Sequence, residues 1–339
     1  MNLNIQRCYK KENLESEYLI FRKVCIMNNL FGFASGYLKA SVDRKIYTAE
    51  TRPEKYAGKK KLSLQEGNDY IAELLEKAEP CMIARYGSTE LSIVKWRLAQ
   101  KYGIVKEFAA GEMKNITNNA GFFPKDQKLV AKFGDLMLEL SKEADLIGVF
   151  YWHMEEHVIK NYASQSAVVR ARGLEPWYVE KPWTKALKGK KVLVIHPFED
   201  TIKKQYEKRD LLFPETNLLP EFELKTLKAV QTIAGEKDSR FDTWFDALEY
   251  MHDEAMKIDF DVAIIGCGAY GFPLAAKLKQ SGKKAIHLGG ATQYLFGIKS
   301  KRAEEGNPII AGLFNDAWVR PSENERPKNF KNVEGGCYW

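Results

Sequence analysis

Five short apolar runs, each followed by a turn and then a helical pattern, constrain this chain more than any other feature. They are Cys81–Ala84, Asp145–Phe150, Lys191–His196, Asp261–Ile265 and Lys284–Leu288. Each is only four to six residues long, which is strand length and not helix length. Helical patterns lie between them. Ser63-Leu64-Gln65-Glu66 has the spacing of a capping box and leads into Ile71, Leu74 and Leu75. Leu91, Val94 and Leu98 keep a helical period, as do Leu129, Val130, Phe133, Leu136 and Leu140 after Pro124 and Asp126. Asp242–Lys257 carries an apolar stripe of Trp244, Phe245, Leu248 and Met251, and Phe272–Gln280 reads as a further helix. Buried strands alternating with helices predict a mainly parallel sheet flanked by helices, a Rossmann-like α/β fold. Glu221–Gln231 is a weaker strand candidate, and Asn115–Phe123 reads as a polar loop.

Charge divides the chain. The formal net charge is +7, and residues 1–61 hold 13 Lys/Arg against 6 Asp/Glu, which accounts for all of it. We therefore expect a basic N-terminal extension over 1–61 and a neutral α/β body over 62–306. A tail over 307–339 should dock through Trp318, Tyr338 and Trp339. A neutral body argues against nucleic acid as a partner. The extension mixes basic residues with Leu, Phe and Tyr. It reads either as a solvated arm packed on the body or as a peripheral contact with an anionic membrane. Five widely spaced cysteines without CxxC indicate neither a disulfide framework nor a zinc finger, and fit a cytoplasmic location.

Four strand-to-helix junctions hold the residues that could carry chemistry. Gly266-Cys267-Gly268-Ala269-Tyr270-Gly271 matches G-x-G-x-x-G after a strand and before a helix. Such a loop can cradle a phosphate, and it can equally be a tight turn whose small residues serve packing. An NAD site should have an acid at the end of the next strand. The chain has His287-Leu288-Gly289-Gly290 there, which weakens an NAD(P)-dependent oxidoreductase as the alternative. At Arg85-Tyr86-Gly87-Ser88-Thr89-Glu90, Arg85 could pair with a phosphate. Glu90 could bind a metal, act as a base or cap its own helix, and capping is the plainer reading. His196 and Glu199 lie near another strand end, with Lys203 and Lys204 behind them on what could be a solvated helix. Gly289, Gly290 and Gln293 make the fourth junction. His153 and His157 have i, i+4 spacing but read as part of a surface helix.

In order and spacing, these junctions resemble the bacterial glycosyltransferases of the GT-D fold, enzymes of polysaccharide and glycoprotein assembly. The family opens with a strand and Arg-Phe-Gly-Asp-Gly-Glu; Ala84–Glu90 is similar in its Arg, aromatic, Gly and Glu. Asn118–Pro124, Ala144–Gly148 and Asp261–Gly290 resemble its middle and closing sections. His196–Tyr206 and Gly266–Arg302 are also similar to proteins of capsule-type gene clusters. The resemblance implies a nucleotide-sugar donor, a glycan or lipid-linked acceptor, and work at the inner face of the membrane.

The chemistry of such a transfer suggests roles for the residues at these junctions. Arg85, Gly87, Ser88, Lys204, Gly266, Gly268, Tyr270 and Gly271 would face the nucleotide diphosphate. Asn118, Asn119, Gly289, Gly290 and Gln293 would face the sugar. Glu90 or Glu199 would be the base, with His196 as a lesser candidate. A divalent cation, Mg²⁺ or Mn²⁺, is implied at Glu90. Here the sequence departs from the family, because Ser88 stands where an Asp is usual and removes one hard oxygen ligand. His287 also stands where the family tends to have an acid. A non-catalytic assembly factor of the same fold is therefore a further alternative.

Overall fold

The structure is a computed structural model that describes residues 31–34, 53–216, 218–236, 238–333 and 335–339. Among the described residues nine strands form one sheet: β1 (Lys55–Tyr56), β2 (Lys59–Leu62), β3 (Met82–Ala84), β4 (Leu146–Val149), β5 (Ala167–Arg170), β6 (Lys191–His196), β7 (Glu223–Lys228), β8 (Val262–Ile265) and β9 (Lys284–His287). Their order is β1-β2-β5-β4-β3-β9-β8-β6-β7. Only β1 and β2 pair antiparallel; every other neighbouring pair is parallel. This is the mainly parallel α/β fold that the alternating runs predict. Among the described residues the eight longest helices are α1 (Leu64–Glu76), α2 (Ser88–Lys101), α3 (Ala110–Asn118), α4 (Gln127–Leu140), α5 (Glu155–Tyr162), α6 (Glu199–Tyr206), α7 (Trp244–Met256) and α8 (Gly271–Gln280).

Strand side chains alternate between two cores, as the pleat requires. Met82 and Ala84, Ile147 and Val149, Leu193 and Ile195, and Ala263 and Ile265 face the layer that contains α2, α4, α5, α7 and α8. Ile83, Leu146, Val192, Val194, Val262, Ile264 and Ile286 face the layer of α1, α6 and the C-terminal segment. A sheet covered on both faces buries nearly every strand residue, so its strands read as continuous apolar runs. The capping box is present: the Glu66 N–H donates to Ser63 Oγ at 3.1 Å, and the Ser63 N–H donates to Glu66 Oε2 at 2.7 Å. A second box, Thr243 with Asp246, starts α7.

Some expectations change. Asn115–Asn118 is the last part of α3, because Met113 and Ile116 are buried and their burial outweighs the poor propensities of Asn and Thr. β5, Ala-Val-Val-Arg, is too short an apolar run to stand out in the sequence. Residues 55–61, expected to end the basic extension, form β1 and most of β2, and β2 pairs with β5 through Lys61 and Leu62. The rest of that extension lies outside the described residues, apart from 31–34 and 53–54. Trp318 and Trp339 are buried in the second core. Among the described residues no helix is long and apolar enough to cross a membrane.

Candidate functional site

From β3 across β9 and β8 to β6, neighbouring strands send their chains to opposite faces of the sheet. After β3 the chain enters α2 on one face; after β9 it enters the short helix Thr292–Leu295 on the other. After β8 it returns to the first face through α8, and after β6 it enters α6 on the second. Such divergence opens a crevice outside the carboxyl ends of the strands, where ligands of open α/β sheets bind. A cleft of about 380 Å³ lies above β3 and β9. A smaller cavity of about 100 Å³ adjoins it above β8 and β6. Asn119, Gly268, Gly290 and Tyr338 line both.

The main cleft gathers Arg85, Gly87, Ser88, Glu90, Asn119, Gly268, Gly289 and Gly290. Tyr86 points away into the core, where its hydroxyl donates to Ser141 Oγ at 2.8 Å and its ring stacks on Phe272. That anchor fixes the backbone from which Arg85 reaches the cleft. The Arg85 guanidinium lies 3.4 Å from Glu175 and 5.3 Å from the centre of the Phe150 ring. A Cβ on Gly289 would come within 2.8 Å of Arg85 Nη2, the movable end of that side chain, and Gly289 has a φ of +58°, so the backbone favours glycine there. Burial disfavours the charge on both members of the Arg85–Glu175 pair, and each partner opposes that effect in the other. A guanidinium keeps its charge in such a setting.

Glu90 sits in the first turn of α2, whose N-cap Gly87 offers no side chain. Its carboxylate folds back over Gly87 so closely that any Cβ there would collide with it. Burial raises its pKa; its own backbone N–H and then Arg85 pull the other way. Glu90 thus caps its helix and is also a carboxylate of increased basicity facing the cleft. Arg302 lines the same cleft, with its guanidinium 4.7 Å from the centre of the Tyr338 ring.

The G-x-G-x-x-G glycines divide by role. A Cβ on Gly266 would meet His196 at 2.6 Å and Thr292 at 2.7 Å. Gly271 lies directly against the His287 ring. Gly268 has a φ of +58° and faces open space between the two cavities. Two of the three glycines therefore serve packing, and one serves the cleft. His287 is held neutral, with its pKa lowered to about 3 by burial and then by Arg85. Burial alone lowers His196 to about 3. The His196 Nδ1 accepts the Phe198 N–H at 3.0 Å, so its proton resides on Nε2. His196 lines the smaller cavity with Gly266, Tyr270 and Gln293.

Several expected residues are committed elsewhere. Glu199 accepts from Thr226 Oγ1 at 2.6 Å and pairs with Lys203 at 2.9 Å. It lines a separate hollow beside β7, and its pKa is lowered, since these bonds outweigh burial. It is neither beside Glu90 nor suited to act as a base. Lys204 is exposed on α6 and lines none of these cavities. The Gln293 amide nitrogen holds the carbonyls of Ile298, Lys299 and Tyr338. The Asn118 side chain donates to Asn119 and to the Asn332 carbonyl. His153 precedes α5 and so does not share a helical face with His157, whose ring packs edge-on against Phe33.

The residues of the cleft do not fit a divalent cation. Glu90 is the one carboxylate among its described lining residues, and two guanidinium groups share the cleft with it. Hard cations need several oxygen ligands. No group of three or more candidate ligands occurs among the described residues.

Phe150, Trp152, Arg302 and Tyr338 also line this cleft and were not singled out as site residues in the sequence. Phe150 read as the end of a strand, and Tyr338 read only as a docking aromatic.

No family model matches the chain, and no curated protein matches it. Two solved structures are similar to it. One is described as "The highly conserved domain of unknown function 1792 has a distinct glycosyltransferase fold"; it is 14% identical with a TM-score of 0.43, covering 83% of this chain and 91% of that one. The other is described as a selenomethionine-substituted structure of domain of unknown function 1792; it is 14% identical with a TM-score of 0.41, covering 79% and 93%.

Proposed function

We propose that this protein transfers a sugar from a nucleotide-sugar to a hydroxyl acceptor, and that the cleft above β3 and β9 is where it does so. One observation carries the reading: a half-buried guanidinium, Arg85, and a carboxylate of raised pKa, Glu90, face one cleft at the carboxyl edge of a parallel sheet. The departing diphosphate needs positive charge and N–H dipoles placed in advance. Arg85, Arg302 and the turn at Gly289–Gly290 supply them. The attacking hydroxyl needs a base, and Glu90 is the carboxylate in place. In the reaction the acceptor oxygen forms a bond to the anomeric carbon, and its proton passes to Glu90. The bond from that carbon to the diphosphate oxygen breaks, and the electron pair leaves with the nucleoside diphosphate. Two guanidinium groups take the part that a cation would play in balancing that charge. The acceptor, a glycan or lipid-linked sugar, would enter beside Glu90, and the reaction would take place in the cytoplasm.

The test is a thermal-shift and calorimetric screen of the full chain against UDP-, GDP-, CMP- and dTDP-sugars, with and without Mn²⁺, alongside NAD(P). We expect stabilisation by one class of sugar nucleotide without added metal, and its loss in Arg85→Ala. No response to any sugar nucleotide would remove the reading, and a response to NAD(P) would replace it with the oxidoreductase alternative.

A further inference from the structure

The segment between β4 and α5 is built with more care than a surface connection needs. Phe150 is 38% exposed, yet it is a large hydrophobic side chain at the mouth of the cleft. Trp152 lies beside it, with ring centres 6.0 Å apart and planes at 36°. Between them Tyr151 has a φ of +63°, and Met154 has a φ of +69°. A left-handed conformation at bulky residues costs free energy and persists only where the surroundings impose it. Here the imposing group is Glu155. Its carboxylate, fully buried, accepts the N–H groups of Phe150 at 3.1 Å, Tyr151 at 2.6 Å and Trp152 at 3.3 Å, and the Tyr56 hydroxyl at 3.3 Å. Tyr151 is buried and packs edge-on against Tyr56, while its two neighbours line the cleft. The strained residue thus lets positions 150 and 152 present two aromatic rings on one side.

We infer that the Phe150–Trp152 pair is the platform on which the nucleobase of the donor stacks; this rests on the reading of the cleft as a sugar-nucleotide site. Every nucleobase has a π-face, and aromatic side chains hold such faces without needing a particular base. Position along the sheet edge supports the assignment. The loops follow in the order β4, β3, β9, β8 and β6, about 5 Å apart, so the row spans roughly 20 Å. Above β4 lie the two rings. Above β3 and β9 lie Arg85, Arg302 and Gly289–Gly290, and above β8 and β6 lie Gly268 and His196. Base, diphosphate and sugar follow in the same covalent order in a nucleotide-sugar. The reverse orientation would put the base toward the hollow beside β7, which is lined by Glu199, Lys228, Asp238 and Arg240 and offers no such pair of rings. Phe150 has a second duty, since the Arg85 guanidinium lies over its ring. Trp152 is therefore the cleaner probe.

The experiment is calorimetric titration of the full chain and its variants with UDP, GDP, dTDP and inorganic pyrophosphate. Trp152→Ala should weaken the nucleoside diphosphate that the wild type binds by about tenfold. Pyrophosphate, which has no base, should bind within about twofold of wild type and so also report that the variant is folded. Trp152→Phe should restore nucleotide binding, and Trp152→Leu, with apolar bulk but no ring, should not. If Trp152→Ala binds the nucleotide as tightly as wild type, or Trp152→Leu matches Trp152→Phe, the platform is wrong while the cleft reading stands. A proportional loss of pyrophosphate would also overturn it, assigning the pair to shaping the diphosphate site. A wild type that binds none of the nucleoside diphosphates would overturn the cleft reading, and the platform with it.

Discussion

At Glu90 one carboxylate is asked to cap a helix and to accept a proton, and the two duties separate under substitution. Glu90→Gln keeps an oxygen that can accept the N–H of the first turn but loses the basicity that burial raises. We expect nucleoside diphosphate binding to stay within about threefold, while hydrolysis of the donor sugar nucleotide falls by roughly 10²- to 10⁴-fold. Equal rates in a direct assay would leave Glu90 as a cap only. Gly271 is a second residue whose identity the geometry explains, because the His287 ring occupies the space of any side chain there. Gly271→Ala should lower unfolding free energy by about 1–3 kcal/mol, the usual cost of overpacking. If the ring is the obstacle, Gly271→Ala made in a His287→Ala background should cost much less. A double-mutant cycle by chemical denaturation reads that coupling, and additive losses would show that the strain arises elsewhere.

At the scale of elements, the β4–α5 connection depends on a carboxylate that its burial works against. Burial pushes Glu155 up to about 7, although three backbone N–H groups and Tyr56 favour its ionised form. Its neighbours Tyr56, Tyr151, Glu156 and Lys61 share the same corner, with the Lys61 amine donating to the Tyr151 hydroxyl at 3.2 Å. In the unfolded chain a Glu titrates near 4.3, so between about pH 4.3 and 7 the folded state binds more protons. Stability is then greatest below the unfolded value, falls as pH rises through that window, and is flat above it, by about 4 kcal/mol in all. The difference in unfolding free energy between wild type and Glu155→Gln should follow that slope, and parallel pH curves would refute it. Elements that owe their form to their own side chains were legible in the sequence: the apolar strands, the Ser63 box and the Trp244 stripe. Those that owe it to partners were not. β2 is Lys-Lys-Lys-Leu and exists because β5 offers it a parallel edge. The aromatic platform was hidden for the same reason, since Phe150 leaves its strand only because Glu155, five residues later, gathers the turn. The Arg85–Glu90 junction and the glycine loops were visible as turns after strands, but no spacing in the chain showed that Glu199 would lie apart from them.

For the whole molecule, the question is what the N-terminal charge does once the sheet has claimed part of it. The seven residues 55–61 include four lysines and no acid, and they belong to β1 and β2 or the turn between them. Residues 1–52 then hold 9 Lys/Arg against 5 Asp/Glu, a smaller excess than the full segment has. Two deletions can therefore separate charge from architecture. Removing 1–61 takes away most of β2, leaves the β5 edge unpaired, and deprives Glu155 of Tyr56. An exposed edge strand invites association, so this deletion should lower the melting temperature and promote aggregation. Removing 1–52 leaves the described sheet intact and should change thermal stability far less. If the basic segment contacts an anionic membrane, the shorter deletion alone should abolish sedimentation with phosphatidylserine vesicles and leave nucleotide binding unchanged. Undiminished sedimentation would move the contact to the lysines of β1 and β2, which lie on the sheet edge nearest the aromatic platform. No sedimentation by the full chain would instead leave those lysines with the structural role their pairing already shows.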